Sequence, residues 1–450
     1  MTRDDGRRHA LLLAYYFPPA TGIATERMVG FHRHLPAFGW DSHVVAPRTP
    51  HFPRAGERAQ AKSEGVVRTS AIEISRLFRR GYKGLAGGGD EPDEASGSVS
   101  PVVAGRLGAA LRRWVREWLY VPDAQVGWIP FAVRAGTRAV AASGPGPWVV
   151  YSSSVPYSAH LAAARLASRF RMPWVAEFRD PWSAQDELRL PASRFRRELD
   201  RRMEAWILGA CQRVVVTAER TRELLLEEFP EVPPGKVALV PNGFEPLPEG
   251  APPGPDEPMV LLHAGTLQEP GYLRPLLEAA ENINRGSGES PAVRIVSVGD
   301  PGPWLETLGA MGLGEVGWVE LRGIREPAEA AGEMGHATAL LLFYPHERFS
   351  KVISGKLFSY LGARRPVFGV VPPGSEMDRL IREAGEGWLV PAWETPAVEE
   401  RLSGLLLRHR QGTVQSPRVP EEVVRPLTRE ARAGALARLF EEAIAEGGGG

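Results

Sequence analysis

The sequence is poor in the features that mark secreted, metal-rich and membrane-spanning proteins. Its 450 residues include one cysteine, Cys211, which excludes an intrachain disulfide and a cysteine-cluster metal site and fits a reducing compartment. No window offers about 20 consecutive apolar residues, so no segment is predicted to cross a bilayer. The first apolar run has about six residues and ends at Pro18 and Pro19, too short for the core of a signal peptide.

The sequence also carries no net charge. Its 54 basic residues balance 54 acidic ones, so no global field favours nucleic acid or an anionic membrane, and any anion site must be built locally. Hydrophobic residues make up 43% and charged residues 24%, as in soluble globular proteins. We therefore expect a cytoplasmic protein that binds no nucleic acid, and the length predicts two or three domains.

Apolar runs of strand length alternate with helical patterns along the whole chain. This alternation predicts an α/β fold in which parallel sheets are flanked by helices. The stretch 241–258 is dense in proline and glycine, which predicts a linker between two domains with a cleft between them. We therefore predict domains at 1–247 and 258–425, followed by a last helix at 426–446.

Two segments of the first predicted domain have unusual compositions. Residues 81–101 are rich in Gly, Asp and Glu and have almost no large apolar side chains, which predicts a flexible surface loop. Residues 106–119 place leucines and tryptophans on one helical face with arginines around it. Such a helix could lie on a membrane surface, or it could pack on its own domain with its arginines in solvent.

The stretch 344–370 predicts a phosphate site. An apolar run at 339–343 reads as a buried strand, and a loop leads from it into a short helix near Gly355 and Lys356. Loop amides and the start of a helix direct hydrogen-bond donors and partial positive charge at one spot, where Lys356 could neutralise a diphosphate. An ordinary strand–loop–helix crossover with a solvated lysine would produce the same pattern.

The predicted strand at 173–177 is followed by Arg179 and Asp180. In parallel α/β sheets the ligand crevice lies at the carboxyl ends of the strands, so both side chains are candidates for chemistry. Asp180 could instead pair with Arg179 or cap the next helix. Gly22 lies in the first strand-to-helix turn, where a glycine lets the backbone approach a ligand, but no G-x-G-x-x-G motif supports a dinucleotide site.

Six stretches, in order, resemble the GT-B glycosyltransferases of the retaining family-four type. They are YYFPPATGIATER, VPDAQVGW, PWVAEFRDPWS, VPNGF, HAGTL and KLFSYLGARRPVFGV. The resemblance implies two Rossmann-like domains, the first for the acceptor and the second for a nucleotide sugar, with the last helix crossing back to the first. It implies a hexosyltransferase-like enzyme that moves a sugar from a nucleoside-diphosphate sugar to an acceptor hydroxyl in polysaccharide, glycolipid or other glycoconjugate biosynthesis.

The resemblance also implies roles for individual residues. The catalytic residues are expected to be Lys356, which would stabilise the leaving diphosphate, and Asp180, which would orient the acceptor or stabilise positive charge on the sugar carbon. Acceptor-binding or secondary roles are expected for Arg27, His160 and Arg179, although a histidine such as His160 could equally be packed or solvated. The donor site is expected to comprise Gly22, Gly265, Thr266, Arg274, Ser354, Gly355, Lys356 and Ser359.

Two positions depart from the family pattern. Relatives carry an arginine just after the glycine of the second-half strand, whereas Gly265 is followed by Thr266, which leaves Arg274 as a substitute. Ser359 stands where relatives of the K-L-F-E-Y type carry a ribose-binding glutamate. A serine offers one short hydroxyl in place of a carboxylate that accepts two hydrogen bonds, so donor affinity could differ.

These departures leave other functions open. They favour a catalytically silent subunit that binds a nucleotide sugar. A third hypothesis, independent of them, is an epimerase that acts on the nucleotide sugar itself, ranked lower because such a site should carry more carboxylates and histidines. No carboxylate pair suggests a metal site, so we expect no metal or cofactor beyond the nucleotide-sugar co-substrate. The sequence does not specify the acceptor; a lipid-linked one would agree with a peripheral contact between residues 106–119 and the inner face of the membrane.

Overall fold

The structure, a computed structural model, divides into two compact units. The first comprises Met1–Pro241 and Ala433–Gly450, and the second comprises Asn242–Arg432. In the described part of the chain no helix is long and apolar enough to cross a membrane. The described residues are 7–20, 22–48, 65–72, 118, 120–180, 182–183, 193–247, 250–267, 270–288, 290–313, 316–325, 327–350, 353–385, 387–414 and 425–447. The predicted loop at 81–101 and the predicted helix at 106–119, apart from residue 118, lie outside them.

The first unit is built on a parallel sheet. Its strands are β1 (Arg8–Leu13), β2 (Trp40–Pro47), β3 (Val66–Thr69), β4 (Trp148–Ser154), β5 (Trp174–Phe178), β6 (Arg213–Val216) and β7 (Val237–Leu239). They pair in the order β3-β2-β1-β4-β5-β6-β7. The helices are α1 (Ile23–His34), α2 (Ile129–Ala142), α3 (Ser158–Phe170), α4 (Arg194–Ala210) and α5 (Glu219–Glu228).

Alternate residues of β1 enter two different cores. Leu11 and Leu13 pack with residues of α2 and α3 on one face of the sheet. Ala10 and Leu12 pack on the other face with residues of α1 and of the last helix. Because both faces are covered, the strands are near-continuous apolar runs, the pattern from which they were predicted.

The last helix, α12 (Arg429–Gly447), packs on the first unit. The Phe440 ring meets Trp40 and Tyr151 edge-on, at centroid distances of 5.1 and 5.8 Å. Arg213 also pairs with Glu442 at 3.1 Å. The predicted return of the last helix to the first domain is therefore confirmed.

The second unit repeats the plan with six strands. They are β8 (Met259–Ala264), β9 (Val293–Val298), β10 (Val319–Leu321), β11 (Ala339–Phe343), β12 (Val367–Val370) and β13 (Gly387–Leu389), in the parallel order β10-β9-β8-β11-β12-β13. The helices are α6 (Leu273–Arg285), α7 (Gly302–Ala310), α8 (Pro327–Gly335), α9 (Gly355–Ala363), α10 (Glu376–Glu383) and α11 (Thr395–Arg410). The predicted pair of Rossmann-like parallel sheets is confirmed.

In each sheet the strand order reverses direction once. The reversal lies between β1 and β4 in the first unit and between β8 and β11 in the second. Ligands of open α/β sheets bind outside the carboxyl ends of the strands at such a switch point. The segments that follow these four strands are therefore the places to look for a site.

The stretch predicted as a linker is packed within the second unit. Phe244 is buried in that unit's core and forms a backbone bridge with Thr428. Arg365 donates hydrogen bonds to the carbonyls of Gly335, at 2.7 Å, and Gly250. The boundary between the units falls at Pro241, the first residue of the predicted linker, and the rest of that stretch is grouped with the second unit.

Candidate functional site

The side chain of Lys356 lies at the switch point of the second sheet, between the carboxyl ends of β8 and β11. Lys356 begins α9, which follows β11, and its ammonium donates to the carbonyl of Thr266 and contacts Nε2 of His263 at 2.9 Å. Both partners belong to the end of β8 and the turn after it. One lysine thus joins the two strands between which the order reverses.

Gly265 lies in the turn beside this lysine. Its φ of +89° lies in the left-handed region that favours glycine, and a Cβ atom there would be 3.5 Å from Cε of Lys356. Gly265 and Thr266 are exposed, so the turn beside the ammonium is open to a ligand. The structure therefore brings together Gly265, Thr266 and Lys356 of the predicted donor site.

The ammonium of Lys356 is partly withdrawn from water, and this lowers its pKa to about 8. His263 is buried, and burial together with the nearby ammonium holds the pKa of its imidazole well below the usual value. His263 is therefore neutral and can accept the lysine hydrogen bond. At pH 7 most of the lysine is still charged and can face an anion.

The start of α9 is fixed by a buried polar pair. Ser354 caps the helix, because its hydroxyl accepts from the Lys356 amide at 3.2 Å. The same hydroxyl donates to the phenol oxygen of Tyr344, which follows β11, at 2.6 Å. The positive end of the helix dipole and the lysine are thus held at the carboxyl edge of the sheet, an arrangement suited to a phosphate.

Ser359 and Arg274 have different surroundings. Ser359 is half-buried and lies one turn after Gly355 and Lys356, so these residues share a face of α9. Arg274 is exposed on α6, where its guanidinium pairs with Glu278 at 3.4 Å. Lys356, His263 and Thr266, with the start of α9, are called the Lys356 group below. Within the described residues Arg274 forms no hydrogen bond to this group, so its donor-binding role stays a prediction.

In the first unit, Arg179 and Asp180 follow β5 at the carboxyl edge. Nε of Arg179 donates to the backbone carbonyl of Ser154 at 2.6 Å. The backbone carbonyl of Arg179 accepts from the hydroxyl of Thr217 at 3.0 Å. The backbone is thereby tied to the ends of β4 and β6. It presents Asp180 to solvent, and in the described part of the chain this carboxylate forms no ion pair. The alternative pairing with Arg179 is not observed.

Arg27 is buried rather than open to an acceptor. Its guanidinium contacts the carboxylate of Glu177 at 2.6 Å and donates to the carbonyls of Val240 and Pro241, both at 2.7 Å. Glu177, within β5, also accepts from the hydroxyl of Ser153 at 2.6 Å. This network ties α1 to β5 and to the segment after β7. The acceptor-binding or secondary role of Arg27 stays a prediction.

His160, in the first turn of α3, is also buried. Its Nδ1 lies 2.8 Å from the hydroxyl of Ser152, which accepts from the indole of Trp174 at 2.8 Å. Burial lowers the pKa of the imidazole to about 3, so it stays neutral at physiological pH. His160 is therefore packed, the alternative that the sequence left open.

Two further motif residues shape the first unit. Gly22 precedes α1 with a φ of +110°, a conformation that glycine adopts without strain, and no atom would lie within 4 Å of an added Cβ. Asp123, in VPDAQVGW, accepts from the amide and hydroxyl of Ser158 at 2.8 and 2.6 Å. It thus fixes the start of α3, at the carboxyl end of β4.

Sequence reasoning overlooked Glu177 and His263. Both occupy the interior of strands that are otherwise apolar, WVAEF and MVLLHA. A charged or titratable residue in a strand buried on both faces must have a polar partner. One titratable residue in an otherwise apolar strand was therefore the feature of the sequence that could have identified Glu177 and His263. In the described part of the chain, no three His, Cys, Asp or Glu residues are grouped to hold a metal ion.

The chain was compared with protein families, curated sequences and solved structures. Residues 25–246 match the family model of Glycosyltransferase Family 4, and no curated protein sequence matches the chain. Among solved structures, the chain resembles a sucrose-phosphate synthase from Thermosynechococcus elongatus with a TM-score of 0.59 and 16% identity, over 98% of this chain and 100% of that one. The fold is that of the GT-B glycosyltransferases.

Two other solved structures share this fold. Anabaena HepE, solved in complex with UDP and glucose, has a TM-score of 0.56 and 12% identity, over 96% of this chain and 99% of HepE. A protein from Listeria monocytogenes assigned as a UDP-N-acetylglucosamine 2-epimerase has a TM-score of 0.52 and 12% identity, over 97% of each chain. At such identities the structures show the GT-B fold, and the match over residues 25–246 adds the family of that segment.

Proposed function

We propose that this GT-B protein transfers a sugar from a nucleoside-diphosphate sugar to an acceptor hydroxyl. The observation that carries the proposal is the Lys356 group, which places an ammonium and a helix start at the switch point of the second sheet. The family-four match of residues 25–246 supports the same activity.

The chemistry follows from charge. When the bond between the sugar and the diphosphate breaks, negative charge develops on the leaving phosphate oxygens, and fixed positive groups lower the energy of that state. Lys356 supplies a full charge, and the start of α9 adds the partial charge of its dipole. These groups would perform the task without a metal, so no metal or other cofactor is part of the proposal.

The finer parts of the proposal rest on the sequence resemblance. We assign the reaction to the hexosyltransferases, with Asp180 orienting the acceptor or stabilising positive charge at the sugar carbon. The exposed carboxylate at the end of β5 supports this role. The first domain would bind the acceptor and the second the donor. The proposal includes a lipid-linked acceptor at the inner face of the membrane. Residues 106–119 would then form the peripheral contact between the protein and that membrane.

Replacement of Lys356 tests the proposal. Purified wild-type protein is incubated with a panel of nucleotide sugars, and donor hydrolysis and transfer to acceptors are measured. Lys356→Ala should reduce kcat about a hundredfold or more, as is typical when one transition-state donor is removed. Lys236→Ala, which removes a lysine from the surface of the first unit, is the matched control and should behave as wild type.

Other outcomes identify the competing functions. Wild-type turnover by Lys356→Ala would remove this lysine from the phosphate role. Donor binding without hydrolysis or transfer would indicate a silent subunit, the reading that Ser359 favours. Isomerisation of the donor in the absence of any acceptor would indicate an epimerase.

A further inference from the structure

Three buried polar side chains lie beneath the Lys356 group in the second unit. They are the imidazole of His263 in β8, the hydroxyl of Ser297 in β9 and the indole of Trp304 in α7, and each residue is at most 2% exposed. His263 and Ser297 are register partners in the β8–β9 pair, and the rings of His263 and Trp304 have a centroid distance of 6.0 Å. We call these three residues the inner polar cluster.

Each member of the inner polar cluster has a polar atom that lacks a hydrogen-bond partner among the described residues. The atoms are Nδ1 of His263, Oγ of Ser297 and Nε1 of Trp304, and all three are shielded from solvent. A buried polar atom without a partner costs free energy, so such atoms are normally joined to one another or to an ordered water molecule. Three of them on adjacent elements therefore point to one shared partner.

Hydrogen-bond chemistry fixes the tautomer of His263. Its Nε2 lies 2.9 Å from Nζ of Lys356, and an ammonium can only donate, so Nε2 carries no proton. Burial and the nearby ammonium hold the pKa of the imidazole well below its usual value, so the ring is neutral and its proton is on Nδ1. Nδ1–H and the indole N–H of Trp304 are both donors, and the hydroxyl of Ser297 is the member of the cluster that can accept.

We propose that Ser297 and Trp304 hold His263 as the Nδ1–H tautomer through one buried water molecule, and that this tautomer positions the ammonium of Lys356 for a phosphate. The water accepts from Nδ1–H and from the indole N–H and donates to Oγ of Ser297, which gives all three atoms a partner. In the other tautomer an N–H would face the ammonium, and Lys356 would keep only the carbonyl of Thr266. The inference rests on the proposed function, because it concerns the lysine on which that function depends.

The first test is the protonation of the imidazole nitrogens, measured by long-range proton–nitrogen correlation NMR on the nucleotide-free protein with isotope-labelled histidine. The signals of His263 are identified by their loss in His263→Gln. Wild type should show a protonated Nδ1 and an unprotonated Nε2, whereas Ser297→Ala/Trp304→Phe should show a mixture of tautomers. Ser297→Ala alone should show a smaller change, which preserves the test if the double variant does not fold. The Nε2–H tautomer or an imidazolium in wild type, or unchanged signals in these variants, would overturn the proposal.

The second test is the pH dependence of UDP binding, which a merely structural role of His263 would not move. Burial lowers the pKa of Lys356 to about 8, so wild type should lose affinity above that pH. His263→Phe keeps a ring but removes the acceptor. Because a hydrogen bond to a charged group corresponds to about one to two pKa units, the pH at which affinity falls should decrease by about one unit or more. His263→Gln, whose carbonyl can accept from the ammonium, should restore the wild-type profile.

The matched control is His409→Gln. His409 is also buried in the second unit, but its Nε2 lies 2.9 Å from the carbonyl of Glu257, so this variant should keep the wild-type pH profile. An unchanged profile in His263→Phe, or the same shift in His409→Gln, would overturn the proposal. If the tautomer and the shift are as expected but no donor is hydrolysed or transferred, the proposed function alone is contradicted.

Two tyrosines are the other titratable groups in the hydrogen-bond network around α9. Tyr344, after β11, accepts from the hydroxyl of Ser354, and Tyr360, within α9, donates to the carbonyl of Leu341 at 3.0 Å. Burial raises the pKa of both phenols, so neither titrates near pH 8. A shift of the UDP profile in His263→Phe therefore reports on the lysine.

Discussion

The low pKa of Lys356 predicts an unusual pH dependence of nucleotide binding. The ammonium form attracts a diphosphate and the neutral amine does not, so binding requires the protonated lysine. With a pKa of about 8, the lysine is mostly charged at pH 7, and about one tenth of it is charged at pH 9. A bound diphosphate raises this pKa, so binding takes up a proton above pH 8. The apparent Kd for UDP should therefore rise about fivefold between pH 8 and pH 9 and stay nearly constant from pH 7 to 7.5.

The assay is isothermal titration with UDP at constant ionic strength, with every point at or above pH 7, where the terminal phosphate is about 90% or more ionised. The neighbouring imidazole adds no titration in this range, because the pKa of His263 lies well below its usual value. Lys356→Arg is the control, since a guanidinium stays charged throughout, and its Kd should be independent of pH. A flat wild-type profile, or the same slope in Lys356→Arg, would refute the reasoning.

Two further predictions concern Glu177 and Ser359. Arg27→Met leaves the carboxylate of Glu177 buried without its partner and should cost about 3–5 kcal/mol in urea unfolding, whereas Arg27→Met/Glu177→Leu should lose less; an equal or larger loss in the double variant would contradict this. Ser359→Glu should strengthen UDP binding by about 1.5–3 kcal/mol, because a carboxylate can accept hydrogen bonds from the ribose. Unchanged affinity would show that this face of α9 does not meet the ribose.

The regular part of the fold could be predicted from the sequence. Buried parallel strands are apolar on both faces, so runs such as Ala339–Phe343 are visible as uninterrupted hydrophobic stretches. The helices α2 and α10 were not predicted. The first is rich in alanine, and the second has only eight residues, many of them charged. Their helical state depends on packing against the sheets.

The candidate site could be predicted only in part. Lys356 and Gly265 were accessible because a helix start and a glycine turn after a strand are local patterns. The partners of Lys356 were not, because His263 is 93 positions away and reaches the lysine only after β8 and β11 pair. The burial of Arg27 was equally hidden, since it depends on a glutamate 150 positions later.

The structure of the protein with bound UDP tests the central claim most directly. We expect the diphosphate at the carboxyl edge of β8 and β11, within hydrogen-bond distance of Nζ of Lys356 and next to the start of α9. A diphosphate bound elsewhere, with Lys356 still directed only to His263 and Thr266, would contradict it.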